Sequence, residues 1–138
     1  MENKEKQEKV KQKYLEIQLL QQHLQEVQQQ LQIFEQQGTE LEKINEGLES
    51  IQKEKKKQMF SQLGAGVFLQ TELKDNKNVI MNVGSDIFVS KPINEAMELI
   101  KKNITETGKI IRKIEEQLSK AQPQLSSLQH ELRELANH

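Results

Sequence analysis

Three histidines, a Gly-Ala-Gly turn and many carboxylates are the groups in this chain that could do chemistry. His23, His130 and His138 stand far apart with no spacing that pairs them, and no cysteine accompanies them, so no metal site is expected. Gly64-Ala65-Gly66 lacks the Lys-Ser/Thr pair and the following helix of a phosphate loop, and reads instead as a hairpin turn. Acidic residues alternate with lysine along both halves, as they do on solvated helix faces. Asn103-Ile104-Thr105 matches a glycosylation triplet, but Met1-Glu2-Asn3-Lys4-Glu5 has no apolar region of a secretory leader. No catalytic residue, cofactor or metal is assigned, and the expectation is a protein that is not an enzyme.

What remains is apolar binding, and the elements that could position it fall into three parts. Residues 61–92 do not read as helix. There, Val67-Phe68-Leu69-Gln70-Thr71-Glu72-Leu73, Val79-Ile80-Met81-Asn82-Val83 and Ile87-Phe88-Val89 are strand-like runs. Gly, Asn and Asp clusters at 74–78 and 84–86 break them. Met59 to Leu63 supply a further strand before the Gly-Ala-Gly turn, giving two hairpins in a row. Alternation puts Val67, Leu69 and Leu73 on one sheet face, and Val79, Met81 and Val83 on one face of the next strand. Four short strands cannot cover that much apolar surface alone, so oligomerisation through this insert is expected.

On either side the spacing predicts helix. Between residues 4 and 57, Val10, Ile17, Leu24, Leu31 and Gly38 alternate with Leu20, Val27, Phe34, Leu41 and Leu48 in steps of three and four. This is a coiled-coil seam. Lys13, Asn45 and Gln52 interrupt it, with Tyr14, Ile44 and Ile51 directly beside them. The glutamine tracts at 28–30 and 36–37 read as solvated face, and Lys53-Glu54-Lys55-Lys56-Lys57 as the polar helix end. From Pro92 onward, Ile93, Met97, Ile100, Ile104, Thr107, Ile111, Ile114, Leu118, Ala121, Leu125, Leu128, Leu132 and Leu135 keep the same steps. Pro92 is expected in the first turn of this helix. Pro123 lies on its outward side, where it should kink the chain.

If the helices fold back on each other, partners whose numbers sum to about 145 bring every a position onto a d position. Val10 then meets Leu135, Ile17 meets Leu128, Leu31 meets Ile114 and Leu48 meets Met97. Gly38 falls opposite Thr107, with Gly108 beside it, so packing should be poorest at that level. The fold class is therefore α+β and mostly α: a long antiparallel two-helix coiled coil joined by a small insert of two β-hairpins. One domain spans 1–138, divided into a helix at 1–57, the hairpin insert at 58–91 and a second helix at 92–138. A net charge of −1 argues against nucleic acid as a partner, and no run reaches the length of a membrane span. A cytoplasmic location is expected.

Leu63-Gly64-Ala65-Gly66-Val67-Phe68-Leu69, then Lys77-Asn78-Val79-Ile80-Met81-Asn82-Val83-Gly84-Ser85, then Val89-Ser90-Lys91-Pro92-Ile93-Asn94-Glu95-Ala96, resembles the α-class subunit of prefoldin. The resemblance covers nearly the whole chain. Pro92 departs from it, standing where that family commonly has a hydroxyl cap, and Ile87-Phe88 replaces a more usual aromatic pattern. The resemblance implies an ATP-independent co-chaperone that works in a hexamer of two α-class and four β-class subunits. Hairpins would form the body, and coiled-coil arms would hold non-native polypeptides at their tips and pass them to a group II chaperonin. The arm tip of this chain offers Val10, Tyr14, Leu128, Leu132 and Leu135, and its assembly surface offers Val67, Leu69, Val79, Met81, Val83 and Phe88. The alternative is a structural or tethering coiled coil that oligomerises through the insert. A nucleic-acid-binding arm, which would need Lys and Arg at the tip, is the third reading.

Overall fold

The computed structural model describes residues 2–53 and 58–137. Helix α1 runs Glu2–Lys53, followed by strands β1 (Gln58–Gly64), β2 (Val67–Glu72), β3 (Asn78–Asn82) and β4 (Phe88–Pro92), and helix α2 runs Ile93–Asn137. The basic end expected for the first helix at 54–57 lies outside the described residues. Two long helices thus flank two antiparallel hairpins, one of β1 with β2 and one of β3 with β4.

The chain divides into two compact units. Met1–Gln37 and Thr107–His138 form the first, and Gly38–Glu106 the second. The division falls between Gln37 and Gly38 and between Glu106 and Thr107, the level at which the sequence predicts poor packing.

In the first unit the core is a stripe. Ile17, Leu24, Val27 and Ile114 are buried, and Val10, Leu20, Leu31, Phe34, Leu118, Leu125 and Leu128 are half-buried along the same seams. An ion pair from Lys13 to Glu131 joins the two helix segments, and these partners fall within one residue number of the expected sum. Lys13 itself occupies the seam, while Tyr14 beside it is 56% exposed. The helical period decides this, because bringing Tyr14 inward would turn the backbone by about 100° and take every other seam residue out. Pro123 sits inside α2, which continues through it as one helix.

In the second unit the burial is deepest at the start of α2, where Ile93, Ala96 and Ile100 are enclosed. Gln52 Nε2 donates to Asn94 Oδ1 at 2.7 Å, a second cross-helix bond within one residue number of the expected sum. Asn45 holds the seam and Ile44 faces outward, for the same reason as Lys13 and Tyr14. Pro92 closes β4 opposite Asn78 instead of opening the helix. A proline at a strand end forfeits no ladder hydrogen bond that a terminal residue needs. The Ile93 amide donates to the Lys77 carbonyl at 2.8 Å. That bond satisfies one of the N–H groups a helix start leaves free, a task a hydroxyl cap would otherwise share.

Both hairpin turns use two successive residues with positive φ, as type I′ turns do. Ala65 (48°) and Gly66 (76°) link β1 to β2. Ser85 (51°) and Asp86 (59°) link β3 to β4, closed by Ile87 N donating to Gly84 O at 3.0 Å. Asn82 Oδ1 accepts from the Gly84 amide at 3.0 Å and fixes the entry to this second turn. Between the hairpins, Asp75 organises the connection: its carboxylate accepts from the Lys77 amide at 2.8 Å and from the Asn78 amide and side chain at 3.3 Å.

Candidate functional site

Strand register sorts the hairpin side chains into faces, because residues paired across an antiparallel ladder lie on the same side. In the first hairpin Met59 pairs with Thr71 and Ser61 with Leu69, while Phe60 pairs with Gln70 and Gln62 with Phe68. Leu69 and Val67 are therefore exposed on one face, and Phe60 (69% exposed) and Phe68 lie diagonally on the other. Ser61 and Thr71 hydroxyls hydrogen-bond at 2.9 Å, tying the strands on the Leu69 face. Gly64-Ala65-Gly66 is the turn between these strands, with a strand and not a helix after it.

The second hairpin has unequal faces. Val79 pairs with Lys91 and Met81 with Val89, and Val79, Met81 and Lys91 are half-buried. Ile80 pairs with Ser90 and Asn82 with Phe88, which places Ile80 (73% exposed) and Phe88 (64%) as diagonal neighbours on the open face. Val83 follows β3 and is exposed. The residues expected to mediate assembly are thus divided: Val67, Leu69, Val83 and Phe88 are accessible, whereas Val79 and Met81 are partly covered within the chain. Sequence reasoning missed Phe60, Phe68, Ile80 and Ile87, all exposed. The signal was present, since Val67-Phe68-Leu69 and Val79-Ile80-Met81 are continuous apolar runs, which suit strands covered on both faces.

The residues expected to bind non-native chains lie in the first unit. Val10, Leu128, Leu132 and Leu135 are half-buried in the seam, and Tyr14 projects from its edge. A hollow of about 590 Å³ beside them is lined by Lys9, Lys13, Glu131, Glu134 and Leu135, so charge of both signs surrounds one leucine. His130 Nε2 lies 3.1 Å from Glu134 Oε1, one turn along the same helix. Among the described residues no group of three or more His, Cys, Asp or Glu is placed to hold a metal ion, and no helix is long and apolar enough to cross a membrane.

Two long helices joined by paired hairpins, with apolar strands open to a partner, define a coiled-coil subunit built for assembly. The family model described as Prefoldin subunit matches residues 20–138. The chain is 29% identical over 98 residues to the prefoldin subunit alpha of Pyrococcus horikoshii, which covers 70% of this chain and 66% of that one. It is 35% identical over 82 residues to prefoldin subunit alpha 2 of Thermococcus kodakarensis, covering 56% and 58%. In these two matches the chain spans less than two thirds of the relative's length. Among solved structures, a chain of a filamentous PFD from Methanocaldococcus jannaschii superposes with a TM-score of 0.71 at 14% identity, covering 83% of this chain and 96% of that one. The chain belongs to the prefoldin family, in its α class.

Proposed function

We propose that this chain is an ATP-independent co-chaperone subunit. Its hairpins join β-class subunits, two α-class chains with four of β class. Its coiled-coil end holds non-native polypeptides in the cytoplasm and delivers them to a group II chaperonin. The observation that carries the reading is the pair of hairpins whose large apolar side chains, Phe60, Phe68, Ile80 and Phe88 among them, stand open in the single chain. A side chain of that size left in water forgoes roughly 1.5–3 kcal/mol, so several at once favour association. Membership of the prefoldin family supports association as the use of these faces.

Holding is assigned to Val10, Tyr14, Leu128, Leu132 and Leu135. One such patch is small and partly occupied by its own seam, so useful retention depends on several arms around one client, where multivalency raises avidity about 10²–10⁴-fold. A chain ending at residue 127, assembled with a β-class subunit, should keep the size of the full complex and lose suppression of client aggregation. Size is read by native mass spectrometry and holding by light scattering of a denatured client. Undiminished holding by that complex would remove these residues from the site.

A further inference from the structure

The two hairpins are attached to the chain unequally. The second is anchored. Val79, Met81 and Lys91 are half-buried on its covered face. The Lys77 carbonyl accepts from the Ile93 amide at 2.8 Å, and Lys91 Nζ pairs with Glu95 Oε1 at 3.3 Å. Ile93 and Ala96, where β4 becomes α2, are 1% and 0% exposed. In the first hairpin every residue of β1 is exposed, and in β2 only Thr71 is half-buried. Among the described residues its side-chain hydrogen bonds stay within it: Ser61 with Thr71 at 2.9 Å, Thr71 to the Met59 carbonyl at 3.2 Å, and Gln70 to Gln58 at 3.4 Å.

A hairpin is as stable as what covers it, and two strands alone are marginal in water. The second hairpin has one covered face and a helix to hold it. The first has an open Leu69 face, an open face of Phe60 and Phe68, and its own ladder. Its turn weakens it further. Ala65 sits at φ 48°, in the left-handed region that a Cβ disfavours and that Asn or Gly enters readily. Ser85 and Asp86 take such angles in the second turn, but there the Asn82 side chain fixes the entry and the Val83 amide donates to the Ile87 carbonyl at 2.9 Å.

The chemistry of the first hairpin selects another sheet as its cover. Of the residues in β1 and β2 only Glu72 is charged, which disfavours an acidic or basic partner. Large apolar side chains alternate with Ser, Thr and Gln on both faces, and each strand of the two-stranded sheet has an outer edge whose backbone groups lack a strand partner.

We infer that the first hairpin folds on assembly: in the single chain it holds its paired form only part of the time, and the sheet of a β-class prefoldin subunit orders it after meeting the preformed second hairpin. The inference rests on the assembly proposed above and adds an order of events to it. It also has a thermodynamic consequence. A segment whose competent form is a fraction of its population binds more weakly by that fraction, so raising the fraction tightens binding by the same factor.

Amide hydrogen exchange on the full chain, diluted until it sediments as a single chain, tests this first without a partner. Amides of β1 and β2 should exchange at least about tenfold faster than those of β3 and β4. Adding a β-class subunit should slow the first hairpin more than the second and bring the two close together. Ala65→Asn gives the turn the Asn-Gly pair that such angles favour. It should slow exchange of the first hairpin several-fold in the single chain, leave the second unchanged, and tighten the dissociation constant for the β-class subunit by the same factor. Equal exchange of the two hairpins in the single chain, or unchanged affinity in Ala65→Asn, would overturn the proposal. So would protection of the first hairpin that rises with chain concentration alone, which would make a second copy the ordering partner. No complex with the β-class subunit would overturn the assembly reading and the partner assigned here, whereas exchange in the single chain measures the order of the first hairpin independently of that reading.

Discussion

Asn45 places an amide in a largely apolar seam, and among the described residues its buried Oδ1 has no hydrogen-bond partner. A buried acceptor left unmade costs about 1–3 kcal/mol. Asn45→Leu should therefore raise the melting temperature of the chain, and an unchanged or lower value would mean that solvent reaches the amide. The asparagine is the type of seam residue that fixes register at the expense of stability. Asp75 is the opposite case, an exposed carboxylate that accepts three hydrogen bonds. The Lys77 amide, then Asn78, hold its carboxyl below the ordinary aspartate range. A group depressed in the folded state contributes stability above its unfolded pKa and loses it as pH falls through the folded one. Amide exchange at Lys77 and Asn78 should accordingly stay slow from neutral pH down to the carboxylate range and accelerate below it. Asp75→Asn should make that exchange fast at neutral pH and flatten its acid dependence.

The two helices were the most legible elements, because steps of three and four repeated over many turns leave one face available for burial. Hydrophobes one residue off the period at 14 and 44 stay outside the seam, as the heptad requires. Tyr14 and Ile44 are open to solvent, and Lys13 and Asn45 take the inner positions. The hairpins were legible in order and turn position. Which of their faces is covered was not, since both faces of the runs around Phe68 and Ile80 are apolar and pairing alone does not choose between them. Pro92 was misplaced by one element because its fixed φ suits a strand end and a helix start alike. Within the helices, Gly47 and Gly108 meet nothing within 4 Å of an added Cβ. Gly47→Ala and Gly108→Ala should each stabilise by up to ~1 kcal/mol, the helix cost of glycine. Chemical denaturation of each single variant checks this, and a destabilised Gly108→Ala would point to a backbone need for glycine there.

For the whole molecule, the open faces of the hairpins carry the heaviest consequence. Ile80 and Phe88 are diagonal neighbours and project from the chain, so changing them should spare its own packing. Ile80→Asp with Phe88→Asp should keep helical circular dichroism and yield a smaller species by sedimentation with a β-class subunit. A complex of undiminished size would move assembly to another surface. The bonds Lys13 to Glu131 and Gln52 to Asn94 carry a consequence of a different kind. Both obey one numerical rule, so the chain is its own ruler: each inserted residue in one helix demands a matching one in the other. Length change over generations should come as paired heptads, one gained or lost on each side at the same level. A lone insertion of one or two residues would turn the leucines beyond it by about 100–200° out of the seam. The segment between the helices is exempt from this rule, and can grow or shrink while every facing pair stays the same.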